Sequence, residues 1–266
     1  MSDLHQQIEA MLARRTTCAV EVQTLGGFRV RRDGKRLTDK SFGRDKAIQL
    51  FQFLVTNRDR HALHREQIMD RIWEDNNEQT FKVSLHGIGK ALEPDKERRA
   101  PSKFIQRQGI SYQLRTDDLW IDADDLEQLI ALGNQAILQD KPLAIRAYQA
   151  AAQLYEGPYL PDRLYEDWTS AERERLRVLA LGVMVTLAEL YLDNNPLESI
   201  RLTQRALQID NTWEEAYRIQ MQAYLAKGNR PQALKTYQQC ANILEEEFGV
   251  RPLPETRQVH DTILSR

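Results

Sequence analysis

One predicted helix carries the side chains with the clearest chemical potential in this sequence. Between residues 78 and 92 apolar residues recur at spacings of four, three and four, and they are Phe81, Leu85, Ile88 and Leu92. This spacing stacks them on one helix face. The opposite face then carries Gln79, Val83, His86 and Lys90, with Lys82 at its edge. In a DNA major groove glutamine pairs with adenine, valine contacts a thymine methyl group, and lysine reaches guanine or phosphate. The alternative is an ordinary solvated helix surface.

Further basic and polar residues stand at two other predicted elements. Arg44 and Lys46 lie where an earlier helix is expected to begin, and the N–H groups of such an end can meet phosphates. A later hairpin carries Lys103, Arg107 and Gln108, which can contact the DNA backbone or the minor groove. These residues extend the candidate DNA-binding set beyond the one helix.

Other chemistries lack a complete set of residues. His61 and His64 stand three apart, but no further ligand completes a metal site, so we predict no metal. Asp122, Asp124 and Asp125 fit the acidic first turn of a helix better than a calcium loop. The sequence has no nucleophile–base motif, no phosphate-binding glycine loop and no dinucleotide fingerprint. We therefore expect no catalytic residue, no cofactor and no enzymatic activity.

The elements around the candidate helix follow a recognisable order. Alternating residues from Cys18 to Val30, with a Gly26-Gly27 break and a later Asp33-Gly34 turn, predict strands. Helical patterns then begin near Arg44, near His64 and at residue 78, and alternation returns over residues 103–114. Strands, three helices and a closing hairpin are typical of a winged helix-turn-helix domain. We assign it to residues 20–115, after an N-terminal helical extension over residues 1–19.

The back half predicts one helix after another. The expected helices span residues 125–139, 142–155, 167–192, 196–209, 212–226 and 230–248. Ala144 and Tyr148 match Ala233 and Tyr237, and several other pairs recur at 34 residues, the period of tetratricopeptide (TPR) repeats. Residues 116–266 are therefore predicted to form an all-α, TPR-like domain for protein contacts, with a plain helical bundle as the alternative. The whole fold is predicted to be mainly α with a small β component.

Charge and composition agree with two different modules. Residues 1–115 contain 22 Lys and Arg against 15 Asp and Glu, whereas the rest of the 266-residue chain has a net charge of −9. A basic front half indicates an anionic partner for that half alone. The chain has no apolar run long enough to span a bilayer and no secretory signal, and its two cysteines, Cys18 and Cys240, are far apart. We expect a cytoplasmic protein without a membrane partner.

Several motifs resemble the SARP (antibiotic regulatory protein) family of bacterial transcriptional activators. In the front half these are LGGFRV (25–30), REQIMDRIW (65–73) and SYQL (111–114). In the back half they are EGPYLPDRLYEDWTSAERERL (156–176), AYRIQMQAYLAKGNRPQALKTYQQC (216–240) and EEEFGVRPLPET (245–256). The back half is thereby similar to the bacterial transcriptional activation domain, and the front half to the winged helix of response regulators.

The resemblance implies a sequence-specific activator that binds double-stranded promoter DNA and contacts RNA polymerase holoenzyme. It also implies homodimers, with protomers side by side on direct repeats. This sequence departs from the family at Gly87 and Gly89, where such proteins usually carry arginines. The loss of two guanidinium groups leaves an alternative open: a protein-interaction adaptor whose winged helix no longer binds specific DNA.

Overall fold

The computed structural model describes residues 3–73, 77–97 and 100–265, which group into two compact units. One unit consists of residues 6–125 and 154–176. We call it the winged unit because it contains the hairpin over residues 105–114, which we call the wing. The helical unit consists of residues 3–5, 126–153 and 177–265. This grouping differs from the contiguous division near residue 116 that the sequence predicts, because a segment from the back half packs with the front half.

The winged unit contains two small sheets and a set of short helices. Its helices are α1 (Asp3–Thr17), α2 (Asp39–Phe42), α3 (Asp45–Thr56), α4 (Arg65–Ile72) and α5 (Glu78–Leu92). Its strands are β1 (Val20–Gln23), β2 (Arg29–Arg32), β3 (Lys35–Arg36), β4 (Leu63–His64), β5 (Ile105–Gln108), β6 (Ser111–Leu114) and β7 (Leu119–Ile121). The first sheet has the order β3-β2-β1-β7, with β7 parallel to β1, and the second has the order β4-β6-β5.

Aromatic and aliphatic residues of α3, α4 and α5 are buried and form part of the core of the winged unit. Phe81 of α5 is fully buried, and its ring packs edge-on against Trp73 at 6.0 Å and against Tyr112 of β6 at 5.1 Å between centroids. Aromatic pairs in this geometry stabilise beyond the burial of their area. Phe81 therefore fixes the start of α5 against the wing.

Residues 154–176 join the winged unit by close backbone contacts with the loop after β1. Gly26 N–H donates to the carbonyl of Pro158 at 3.0 Å, and Leu160 N–H donates to Thr24. A Cβ atom on Gly26, whose φ is +76°, would lie 2.9 Å from the carbonyl carbon of Glu156. Only glycine fits this approach and this φ. Two motifs 130 residues apart in the sequence thus meet backbone to backbone.

Two buried glutamines of α3 form hydrogen bonds with residues 162–166 of the segment 154–176. Gln52 donates to Asp162 and accepts from Arg163, each at 2.8 Å, within a short 3-10 helix (Pro161–Arg163). Gln49 donates to Glu166 at 2.8 Å. These bonds satisfy polar side chains that would otherwise be buried at a cost.

The Asp122 carboxylate organises the start of α6 (Asp122–Ala136). It accepts hydrogen bonds from the N–H groups of Thr24, Leu25 and Ala123 and from the Thr24 hydroxyl, at 2.6–2.9 Å. Burial raises the pKa of Asp122 to about 6, against the opposing effect of these hydrogen bonds. Its role therefore extends beyond the helix-dipole role inferred from the sequence, because it also closes the end of β1.

A buried ionic cluster lies behind α3. The Arg58 side chain is 1% exposed, and its guanidinium contacts Asp124 of α6 and Glu172 of α8 (Asp167–Tyr191), the latter at 3.3 Å. Burial lowers the pKa of Arg58, but the two carboxylates and neighbouring Tyr159 raise it by a larger amount, so the pKa lies above its usual value. The cluster thus ties α3, the start of α6 and the start of α8 together by charge.

The helical unit is built from antiparallel helices joined by short turns. It includes α7 (Lys141–Leu154), α9 (Pro196–Ile209), α10 (Glu214–Ala226), α11 (Arg230–Phe248) and α12 (Pro254–Ser265), together with most of α6 and α8. Gly133 of α6 lies against the ring of Tyr148, where a Cβ atom would be 2.5 Å from Cε1. Helix α10 packs against α9, α11 and α12, as in TPR-like stacking. Across the described residues, none of the helices has the length and apolar content needed to cross a membrane.

Most predicted elements are confirmed, some to the residue. Helices α5, α9 and α11 have the predicted bounds, whereas α10 begins two residues later than expected. The sequence interpretation missed α2, β4, β7 and α12. Strand β7 is only three residues long and fully buried, and so shows no alternation that a strand pattern requires.

Candidate nucleic-acid interface

The two faces of α5 differ in exposure as the sequence predicts. Phe81, Ile88 and Leu92 are buried, while Leu85 is half-buried. On the opposite side Gln79, Lys82, His86 and Lys90 are exposed, and Val83 is half-buried. The helix therefore presents a polar face about three turns long, and an α-helix fits within the width of a DNA major groove.

An acidic residue that the sequence interpretation overlooked lies at the start of this face. Glu78 is 47% exposed and pairs with Lys82 at 2.8 Å and with Arg65 of α4 at 2.6 Å. The hydrogen bond from Lys82 and the charge of Arg65 lower the pKa of Glu78. The four-residue spacing of Glu78 and Lys82 was the signal that could have revealed the pair. Lys82 therefore has to leave Glu78 to reach a phosphate, and an exposed pair of this kind is weak.

The two residues predicted at the start of α3 have different positions. Arg44 precedes the helix in an extended conformation and is exposed. The Lys46 ammonium instead donates to the carbonyl of Ile72 at 2.7 Å and to Gln49 at 2.9 Å. A cation at the carboxyl end of α4 is favoured by the helix dipole. Lys46 thus serves the junction of α3 and α4, and Arg44 is the residue of this pair that faces solvent.

The wing hairpin holds its predicted residues on β5 and just before it. Arg107 is exposed, donates through Nε to the carbonyl of Gly109 at 2.8 Å, and lies 5.9 Å from the Tyr112 ring. Gln108 faces Ser111 in the β5–β6 register, and Lys103 is exposed ahead of β5. All three predicted wing residues therefore lie at the surface.

A groove of about 300 Å³ separates α5 from the wing and brings the two sets together. His86 and Lys90 line it from the helix, and Arg107 lines it from β5. Lys96, on the connection after Pro94, lines the same groove and was missed because no periodic element contains it. Lys103 borders a neighbouring cavity of about 380 Å³ that Lys96 also lines. Four cations from three segments thus lie around one surface region. Glu93 lines both cavities and Asp95 lines the second, so part of this positive charge is offset there.

Gly87 and Gly89 of α5, where this sequence differs from the SARP pattern, have different surroundings. A Cβ atom on Gly87 would lie 2.4 Å from the carbonyl oxygen of Phe42 and 3.3 Å from Cβ of Ala47. A Cβ atom on Gly89 would have no heavy atom within 4 Å, and Gly89 lines the groove beside the wing. The absence of a side chain is therefore a packing requirement at residue 87 and not at residue 89.

Part of the basic charge of the front half is neutralised inside the winged unit. Arg58 pairs with Asp124 and Glu172, and Arg14 pairs with Asp125 at 3.3 Å. These carboxylates belong to the back half of the sequence, so the basic excess counted up to residue 115 overstates the charge offered to a partner. Within the residues that the structure describes, no group of three or more His, Cys, Asp or Glu side chains is arranged to hold a metal ion.

Comparisons with known proteins point to one regulatory family and one fold. The sequence profile of the bacterial transcriptional activator domain matches residues 121–264. Mycobacterium tuberculosis EmbR, solved in complex with a low affinity phosphopeptide, matches with a TM-score of 0.77 and 17% sequence identity over 93% of this chain and 65% of that chain. This chain therefore spans just under two thirds of EmbR.

A second solved structure gives a weaker similarity. The C-terminal TPR-containing domain of a Plasmodium falciparum FK506-binding protein has a TM-score of 0.41 and 14% identity over 54% of this chain and 89% of that chain. Among curated proteins, none matches the sequence. The EmbR similarity confirms the predicted fold class, a mainly helical chain with a small β component in front.

Proposed function

The chain belongs to the family of the bacterial transcriptional activator domain, as the resemblance to SARP-type activators predicts, and from this premise we propose that it is a sequence-specific DNA-binding activator. Its winged unit binds double-stranded promoter DNA, and its helical unit contacts RNA polymerase holoenzyme or a second protomer. The observation that supports DNA binding best is the groove in which His86 and Lys90 of α5 face Arg107 of the wing.

In this proposal the polar face of α5 enters the major groove. Gln79, Val83 and His86 contact base edges, while Lys90 reaches guanine or phosphate. The wing lies along the DNA backbone, where Lys103, Arg107 and Gln108 contact phosphates or the minor groove. Arg44 binds a phosphate beside α3. Lys46 has the weakest support of the predicted set, since its ammonium is already bound to the end of α4.

The helical unit supplies the protein contacts. TPR-like arrays bind proteins through the surface that their stacked helices form, and α9, α10, α11 and α12 stack in this unit. We propose that this surface contacts RNA polymerase holoenzyme, and that two protomers bind side by side on direct DNA repeats. The protein acts in the cytoplasm by binding alone, as a regulator and not as an enzyme, and uses no cofactor.

A salt titration with matched variants tests the DNA contact. The full chain is bound to promoter duplexes from its own locus at a series of salt concentrations, and the slope of log K against log salt is measured. Lys90→Gln should lower the magnitude of this slope by about 1 if Lys90 neutralises one phosphate. Lys235→Gln replaces an exposed lysine of α11 in the helical unit and should leave the slope unchanged. Equal slopes for wild type and Lys90→Gln would remove Lys90 from the interface.

Base reading requires a separate measurement. His86→Ala or Gln79→Ala should lower the affinity for the preferred duplex by about 1–3 kcal/mol for each lost base contact, and should relax sequence preference at one position. Binding to a shuffled duplex should hardly change, because the charge of α5 is preserved. Loss of affinity for both duplexes alike would contradict base reading.

The adaptor alternative is favoured by one observation, the arginine-poor face of α5 with Glu78 at its start. Reversal of charge at Lys82 and Lys90 should abolish promoter binding under the activator proposal. Under the adaptor alternative it should leave partner capture intact. Footprints with and without RNA polymerase holoenzyme then test recruitment: an activator should extend or strengthen the polymerase footprint, and an adaptor should give no footprint of its own.

A further inference from the structure

Helix α5 contacts a backbone carbonyl group directly at one residue, Gly87. At Gly87 the space that a Cβ atom would fill is 2.4 Å from the Phe42 carbonyl oxygen, a distance that real Cβ atoms do not adopt. The obstacle is a backbone carbonyl and not the mobile end of a side chain. Any residue other than glycine at this position must therefore move α5 or the segment that it touches.

The segment pressed against Gly87 is the elbow between α2 and α3. Phe42 is the last residue of α2 and is 4% exposed, and Ala47 in the first turn of α3 is 1% exposed. Gly43 turns the chain between the two helices with φ at +81°, and its N–H donates to the carbonyl of Asp39. The turn itself (residues 43–45) is exposed, so the support for α5 comes from buried Phe42 and Ala47 on either side of it.

The geometry of a helix links this support to the exposed face. Each residue of an α-helix advances about 100° around the axis, so Gly87 and Gly89 lie about 200° apart, on opposite flanks of the polar face. Gly87 faces the elbow, and Gly89 faces the groove beside the wing. His86 and Lys90 lie between them and are exposed. A shift at Gly87 would thus rotate or lift the side chains that are offered to DNA.

We propose that Gly87 is a positioning residue for DNA reading: its missing side chain lets the Phe42 carbonyl set the depth and angle at which α5 presents Gln79, His86 and Lys90. The inference rests on the proposed DNA binding through α5. It gives a physical reason for glycine at residue 87, where an arginine would have no room, and it assigns no such role to Gly89.

The test compares two alanine variants at helix-interior glycines, Gly87 in α5 and Gly182 in α8 of the helical unit. Duplexes selected by the full chain from a random-sequence library serve as the specific probe, and a shuffled duplex of equal length serves as the non-specific probe. Gly87→Ala should lower the ratio of specific to non-specific affinity by at least about tenfold, comparable to the loss of one good base contact. Gly182→Ala should leave the ratio within about twofold, because its Cβ enters open space in the helical unit.

Non-specific affinity separates positioning from simple unfolding. Neither variant changes charge, so the phosphate-driven binding to the shuffled duplex should stay within about twofold for every folded variant. A merely structural role for Gly87 would lower the thermal midpoint and leave the affinity ratio of the folded protein unchanged. That result would overturn the proposal.

If Gly87→Ala does not fold, a second pair of variants, Gly43→Ala and Gly34→Ala, tests the same role. Gly43→Ala strains the elbow, and Gly34→Ala strains the β2–β3 turn, at similar positive φ values (+81° and +74°) and with no heavy atom near the new Cβ. Gly43→Ala should lower the affinity ratio and Gly34→Ala should not. Equal ratios for these two variants would overturn the role of the elbow. A wild-type chain without sequence preference would instead refute the proposed function, and the positioning role with it.

Discussion

Replacement of Arg58 by methionine should strongly destabilise the winged unit. Arg58 is buried with its guanidinium against Asp124 and Glu172, whose side chains are only 17% and 14% exposed. Methionine fills much of the same volume but carries no charge and no donor. Asp124 would then lose its paired cation and Glu172 would keep only Arg175, at 2.9 Å. The carbonyl of Val55 would also lose the hydrogen bond that Arg58 donates.

The expected loss follows from the cost of an uncompensated buried charge. Breaking a buried ion pair by removal of one partner costs about 3–5 kcal/mol. For a unit of this size, a loss of 1 kcal/mol lowers the thermal midpoint by about 2–4 °C, so the variant should melt about 6–20 °C below the wild type. The same replacement at an exposed arginine should change the free energy of unfolding by no more than about 0.5 kcal/mol.

Urea unfolding followed by tryptophan fluorescence measures this loss. Trp73, Trp120 and Trp168 lie in the winged unit and Trp213 lies in the helical unit, so the signal reports mainly on the unit that changes. Arg60→Met is the matched control, since Arg60 is exposed two residues further along the chain. A loss below about 1 kcal/mol for Arg58→Met, or an equal loss for Arg60→Met, would refute the reasoning.

One further variant and a pH series test the same cluster. If unpaired charge causes the loss, replacing Asp124 and Glu172 by leucine in the Arg58→Met background should restore most of the stability. The deficit of Arg58→Met should also shrink as the pH falls from 7 to 5. Without the guanidinium, burial raises the pKa of Asp124 further, and a raised pKa in the folded state gives stability at low pH that is lost as the pH rises.

Three other outcomes follow from the described contacts. Asp122→Asn should lower the free energy of unfolding by about 1–3 kcal/mol, because its new NH2 group faces N–H donors. Asp118→Asn, at an exposed residue, should have little effect, and urea denaturation compares the two variants. Burial raises the pKa values of Asp122 and Asp125 to about 6. Their contribution to stability should therefore be full below about pH 4 and should be lost as the pH rises through about 6. Carboxyl NMR titration and urea midpoints at about pH 5 and about pH 7 can check this dependence. Gly89→Arg should raise DNA affinity in anisotropy assays, because the new guanidinium enters open space beside Lys90, and an unchanged affinity would place the DNA elsewhere.

Local sequence patterns predicted the elements of the winged unit well, because α3, α4 and α5 have clear apolar periods. The exposed members of the candidate site followed from the same periods: once Phe81 and Ile88 face the core, Gln79, His86 and Lys90 must face outward. Such a pattern describes which side of a helix is buried. It contains no information on what lies against each flank.

The contacts that the sequence could not predict are all long-range or specific to one atom. The pairing of β7 with β1 joins residues about 100 positions apart, and neither strand alone signals its partner. The bond from Lys46 to the end of α4 depends on the angle between two helices. At Gly87 the sequence suggested only a lost arginine, whereas the structure shows a carbonyl in the space where a side chain would begin.

The discontinuity of the winged unit has a consequence during synthesis on the ribosome. Translation proceeds from the N-terminus, so residues 6–125 emerge before the segment 154–176 that Gly26, Gln52 and Arg58 bind. At about 5–20 residues per second, the missing segment follows after about 3–10 s. Until then Arg58 lacks Glu172, and the nascent winged unit cannot close. The winged unit is therefore completed only after the first helices of the back half of the sequence have been made.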